Sequence, residues 1–307
     1  MKKNILQILV LLLILTLSKG GVYADTIDFQ IFPAILEIES KPGERIEHQI
    51  LLRGTGGEQY TLKVYGLNIL DEYGRFASSM DEEIALDWIS FLPNEFSFEL
   101  ATEKRVKIVI DIPEDVSLGD YYLTVALEKT SEEEGTAAVS GALEIPLLIS
   151  VMDGALPQMQ AKVKEFNGNH FNMFNPIKFK LEIENTGFRK IKSFGKVEIK
   201  DLITQKEYVR ELVPQNILSQ SSRVIMDEYG FYTGDNLISW ESKSLFGIYS
   251  ARADIYDMYF EDVNAQVLTS SEPFYFVYIN IYLLGALILL CLIFVIFLLK
   301  RKPKALT

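Results

Sequence analysis

Lys178-Phe-Lys-Leu-Glu-Ile-Glu184 alternates without a break, with Phe179, Leu181 and Ile183 on one side and four charged residues on the other. A period of two is the mark of a β-strand with one buried and one wet face. Asn185-Thr186-Gly187 follows with turn residues that end it. Downstream, Gly195-Lys-Val-Glu-Ile-Lys-Asp201 alternates again, and Gly247-Ile-Tyr-Ser-Ala-Arg-Ala-Asp-Ile-Tyr256 has the look of a late central strand. Upstream, Arg105-Val-Lys-Ile-Val-Ile-Asp-Ile112, Phe96-Ser-Phe-Glu-Leu100 and Gln59-Tyr-Thr-Leu-Lys-Val-Tyr-Gly66 keep the same period, and Lys41-Pro42-Gly43-Glu44 reads as a tight turn. Helical periodicity is scarce between the two ends of the chain. Short alternating strands with turn signals between them predict antiparallel sandwiches.

The length sets how many. Residues 25–277 exceed one small sandwich and suit two, since domains commonly hold about 100–150 residues. A joint is expected at Met152-Asp153-Gly154-Ala155-Leu156-Pro157, where an apolar strand runs into turn residues. The fold class is therefore all-β: two tandem immunoglobulin-like sandwiches, at 25–152 and 157–274, followed by one transmembrane helix.

That helix is expected over residues 278–299, YINIYLLGALILLCLIFVIFLL, which carry no charge and at about 1.5 Å per residue reach about 33 Å. Lys300, Arg301, Lys302 and Lys304 follow, so residues 300–307 read as a cytoplasmic basic tail. Phe274, Tyr275, Phe276, Tyr278 and Tyr282 at the outer mouth read as an interfacial aromatic belt. Residues 1–24, with Lys2 and Lys3 ahead of an apolar run and Val22-Tyr23-Ala24 before Asp25, read as a signal peptide. The expected setting is the cell membrane: a single pass, the N-terminal body extracellular and the C-terminus cytoplasmic.

Composition narrows the function. The one cysteine, Cys291, falls in the apolar run, so no disulfide is expected, and no Asn-x-Ser/Thr acceptor is present. Together these favour a bacterial surface protein. All 42 acidic residues lie between Asp25 and Leu299, while seven of the 30 basic ones lie outside that stretch, which makes the body more acidic than the chain's net −12. Phosphate contacts need a basic surface, so nucleic acid is excluded as a partner.

Catalytic chemistry is not legible. Only His48 and His170 are available, no Gly-x-Ser-x-Gly elbow exposes a nucleophile, and no His-Glu-x-x-His or cysteine pair offers a metal site. Asp81-Glu82-Glu83, Glu132-Glu133-Glu134 and Asp71-Glu72-Tyr73-Gly74 lack the spacing of a calcium loop and read as solvated turns. The chain is expected to be no enzyme, with no cofactor and no metal. Trp88 reads as core. Candidate binding residues are Tyr229, Phe231, Tyr232 and Trp240, aromatics grouped around glycines, because loop aromatics make interface anchors.

A resemblance adds to this. Lys41-Pro-Gly43, Ile112-Pro-Glu-Asp-Val-Ser-Leu-Gly-Asp-Tyr-Tyr122, Phe174-Asn-Pro-Ile-Lys-Phe and Asn185-Thr-Gly187 ahead of Gly195-Lys-Val-Glu-Ile-Lys-Asp201 resemble segments of the WxL-interacting surface proteins of Gram-positive bacteria. The resemblance implies peptidoglycan contact by the first module and partner-protein contact by the second. The expected function is a non-enzymatic, membrane-anchored cell-surface adaptor that binds cell-wall glycan or another surface protein. The alternative is an extracytoplasmic subunit of a membrane complex.

Overall fold

A computed structural model describes residues 29–54, 59–79, 86–98, 102–130, 143–154, 159–258 and 267–300. The expected signal peptide, the carboxylate runs at 81–83 and 132–134, the Pro157 end of the expected joint and the basic tail from 301 lie outside the described residues.

The first module is built from β1 (Gln30–Phe32), β2 (Leu36–Ser40), β3 (Arg45–Gly54), β4 (Gln59–Ile69), β5 (Phe76–Ser79), β6 (Ile89–Leu92), β7 (Glu95–Ser97), β8 (Thr102–Asp111), β9 (Gly119–Lys129) and β10 (Leu143–Val151). One sheet has the order β1-β3-β8-β6, and the other has β2-β10-β9-β4-β5 with β7 on β4. Pro33 lies between β1 and β2, where the chain leaves the first sheet and joins β10 in parallel in the second. Proline suits that crossing because it has no N–H to give to either ladder. Ile50, Leu52, Ile108, Ile110, Leu123, Val125, Leu147 and Ile149 fill the space between the sheets. Trp88 packs half-buried on this core, its ring 4.9 Å from Tyr121.

The second module holds β11 (Ala161–Gly168), β12 (Phe171–Asn172), β13 (Ile177–Asn185), β14 (Ile191–Asp201), β15 (Glu207–Ile217), β16 (Ser222–Ile225), α1 (Glu228–Thr233), β17 (Ile238–Trp240), β18 (Phe246–Asp257), β19 (Thr269–Ser270) and β20 (Phe274–Ile279), ahead of α2 (Ile281–Lys300). Its sheets run β11-β13-β16, with β17 on β13, and β12-β20-β18-β14-β15, with β19 on β18. The alternation that opens the sequence reading is β13: Phe179, Leu181 and Ile183 are fully buried. The architecture is all-β, two immunoglobulin-like sandwiches in series.

The end of the chain departs from expectation. Residues 274–279 continue the strand period, and Phe274, Phe276 and Tyr278 face the core while Tyr275 faces out. They pair with β18 from Phe246↔Ile279 to Ala251↔Phe274. Phe274, Phe276 and Tyr278 are therefore core residues and form no aromatic belt. With Tyr278 and Ile279 held in β20, the helix starts only at Ile281, where the Asn280 side chain accepts a hydrogen bond from the Leu283 N–H at 3.1 Å. Among the described residues no helix is long and apolar enough to cross a membrane. The expected transmembrane helix at 278–299, the membrane anchor and the single-pass placement in the cell membrane are corrected accordingly.

Candidate functional site

The two modules are joined by buried charge. Glu37 on β2 accepts from Lys192 Nζ at 3.0 Å and Asn216 Nδ2 at 3.1 Å, and pairs with Lys190 Nζ at 3.4 Å. Lys190 is only 2% exposed. On β9, beyond β10 in the same sheet, Asp120 accepts from Arg189 Nη1 at 3.3 Å, from the Lys190 backbone N–H and from the Tyr122 hydroxyl at 3.2 Å. Arg189 also donates to the Val151 carbonyl at 3.1 Å, and Tyr122 Oη accepts from the Ser219 N–H at 3.0 Å. Burial, and then the charge of Asp120, push the Tyr122 pKa up, so its hydroxyl stays protonated and keeps its bond to Asp120. The turn at Asp71-Glu72-Tyr73-Gly74 reaches across too: the Val224 N–H donates to the Glu72 carbonyl at 2.7 Å. Gly74 takes a φ of 77°, a backbone that favours glycine, and a Cβ there would also displace the Arg223 guanidinium.

Glu37 gives this joint a pH dependence. Burial raises its pKa, but hydrogen bonds from Lys192 and Asn216 and the charges of Lys190 and Lys192 outweigh burial and hold it below its ordinary 4.5. A depressed carboxylate contributes stability that is complete above the unfolded value and is lost as pH falls through the folded one. The expected result is a joint that loosens only below pH 4.5. Small-angle X-ray scattering should then record a growing radius of gyration, while far-ultraviolet circular dichroism still reports intact sheets. A radius that holds constant to pH 3 would remove Glu37 from this role.

Beside the joint lies an open sheet edge. β15 pairs with β14 along its inner side, from Lys200↔Glu207 to Ile191↔Ile217. On its outer side, Leu212 bridges Asp227 and the Val213 N–H donates to the Met226 carbonyl at 2.9 Å. Along residues 207–210 no strand covers that outer side among the described residues. A row of unpaired backbone groups of this kind is a template for another chain.

Helix α1 faces this edge. Asp227 caps it: Oδ1 accepts from the Gly230 N–H at 2.8 Å and Oδ2 from the Ser239 N–H at 2.9 Å. Gly234, at φ 71°, ends it. A Cβ on Gly230 would strike the Leu237 carbonyl, so glycine lets the short helix lie flat on the chain behind it. Tyr229, Phe231 and Tyr232 are left projecting, with Tyr232 77% exposed and the Phe231 and Tyr232 rings 5.7 Å apart. Between these rings and β15 runs a groove of about 860 Å³. At Val213, Pro214 and Phe231 it opens into a second cleft of about 620 Å³ between the modules, walled by Leu67, Ile69, Phe76 and Leu148.

Of the four aromatics picked from sequence, three line this groove and one does not. Trp240 is 4% exposed and sits in the core against Tyr249, with ring centroids 5.0 Å apart. Sequence reasoning missed β15 itself, because an edge is open or covered according to distant pairing. His48 is exposed on β3 of the first module, whereas His170 lies in the second, its Nδ1 2.8 Å from the Tyr275 carbonyl oxygen, so the two make no joint site. Among the described residues, no three His, Cys, Asp or Glu side chains gather in a way that would hold a metal.

No family model and no curated protein matches the chain. Solved structures do. The chaperone DraB of E. coli shares 10% identity at a TM-score of 0.36, over 81% of this chain and 98% of that one. The CupB2 chaperone of Pseudomonas aeruginosa shares 10% at 0.33, over 75% and 95%. A chain of the CsuC–CsuE chaperone–tip adhesion subunit complex of Acinetobacter baumannii shares 15% at 0.32, over 64% and 89%. These neighbours are named as chaperones or as chains of chaperone complexes. They are not WxL-interacting proteins, so the resemblance read from sequence is corrected, and the peptidoglycan contact it implied falls with it. The membrane-anchored glycan adaptor and the membrane-complex subunit are overturned together with the anchor on which both depended.

Proposed function

We propose that the protein binds an extended segment of a partner protein, which adds as a strand to the open edge of β15 and rests its side chains on Tyr229, Phe231 and Tyr232. One observation carries this reading: the outer side of β15 along residues 207–210 is uncovered among the described residues, and Val209 and Arg210 share a groove with three exposed aromatic rings. In strand addition the main-chain hydrogen bonds supply affinity and alternate side chains supply selectivity. Rigid aromatics at such a surface are the usual carriers of binding energy.

The test uses the full chain and a set of decapeptides in which Val alternates with Lys, Glu or Thr. Hydrogen exchange should show the amides of residues 207–210 slowed by at least one of them. Replacing Phe231 by Ala should weaken that complex about tenfold, a loss of about 1.4 kcal/mol. If no peptide slows exchange at 207–210, the edge is not a binding surface.

A further inference from the structure

The groove is charged on one side of the balance. Its walls include Glu211, Glu228 and Glu241, all exposed, against Arg210 as the only basic residue among its lining side chains. Asp227 lines it as well, but its carboxylate is committed to the Gly230 and Ser239 N–H groups. Lys178 is paired with Asp235 at 2.5 Å. The three glutamates make no salt bridge among the described residues.

Resting on the strand-addition reading, we infer that the occupant of this groove is a cationic extended segment, with Lys or Arg side chains spaced two apart that reach Glu211, Glu228 and Glu241. Its intervening residues lie on the aromatic shelf. The spacing follows from geometry, since side chains two apart on a strand share a face. The faces of Tyr229 and Tyr232 also favour cations, which are attracted to aromatic π-systems. A second copy of this chain fits poorly. Pairing β15 with its own equivalent brings Glu207, Glu211, Glu228 and Glu241 against an identical acidic edge, and like charges opposed across strands destabilise the pair. The chain's net charge of −12 adds long-range attraction for a cationic partner.

Fluorescence anisotropy with the full chain tests this, using two labelled decapeptides, one alternating Lys with Val and one alternating Glu with Val. At about 50 mM salt the lysine peptide should bind at least tenfold more tightly, and the gap should narrow towards about 0.5 M as screening shortens the reach of the charges. The variant Glu228→Gln/Glu241→Gln changes two exposed side chains outside the core and should cut the preference at least threefold. Equal affinity for both peptides, or preference for the glutamate peptide, overturns the cationic assignment and leaves the edge as a binding surface. Concentration-dependent dimerisation that blocks the lysine peptide overturns it in favour of a second copy. Protection of residues 207–210 by neither peptide nor by the threonine analogue removes the edge reading and this inference with it.

Discussion

Asp120→Ala lowers the unfolding free energy by about 3–5 kcal/mol, the range for removing one partner of a buried charge pair. The carboxylate lies at the start of β9, its side chain is 2% exposed, and it serves donors from both modules. Without it the Arg189 guanidinium, 15% exposed, keeps only the Val151 carbonyl named above, and the Lys190 N–H loses its acceptor. Most of the cost is this stranded charge and donor, since the pair itself must repay a large desolvation penalty. Asp120→Asn retains the shape and one acceptor oxygen, so its effect should be roughly half as large. Urea denaturation followed by circular dichroism measures both. The alanine variant should also show a smaller denaturant slope, because modules that part early no longer unfold as one unit. A change under about 1 kcal/mol with an unaltered slope would mean that the modules are held some other way.

The sandwiches were legible where burial has a period of two and the neighbours do not disguise it. Phe179, Leu181 and Ile183 announce β13 because charged residues separate them, and the structure buries all three. Phe274, Phe276 and Tyr278 carry the same signal, but Tyr275, Val277 and Ile279 between them are apolar and the run continues into α2. Total apolarity then masked the alternation, and a core strand was read as the mouth of a membrane span. The site was half legible. Exposed aromatics around Gly230 and Gly234 can be picked out locally, whereas the open edge of β15 depends on which distant strand fails to arrive. The joint has only a faint local trace: Arg189, Lys190 and Lys192 crowd together in an acidic chain. Their partners Glu37 and Asp120 lie 153 and 70 positions away from Lys190, beyond any pattern that spacing reveals.

Trp240→Ala costs about 3–5 kcal/mol of stability, the range for truncating a large buried aromatic. Trp240 pairs with Ile177 across β17 and β13 and packs its ring within 5.0–6.2 Å of Tyr249, Tyr208 and Phe276. Those rings close the end of the second core beneath α1, so the cavity left by alanine has rigid walls and little freedom to collapse. Tyr232, eight positions earlier in the same aromatic stretch, is 77% exposed, and its replacement by alanine should move stability by no more than about 0.5 kcal/mol. The two variants separate an aromatic that holds the fold from one that is free to meet a partner. Trp240→Ala should shift the urea midpoint well below the wild-type value; Tyr232→Ala should leave the midpoint in place and weaken the lysine peptide. Equal midpoints for both variants would put the Trp240 ring at the surface and undo the division of labour on which the groove is argued. Loss of stability in both would make α1 part of the core and leave the edge of β15 without its aromatic shelf.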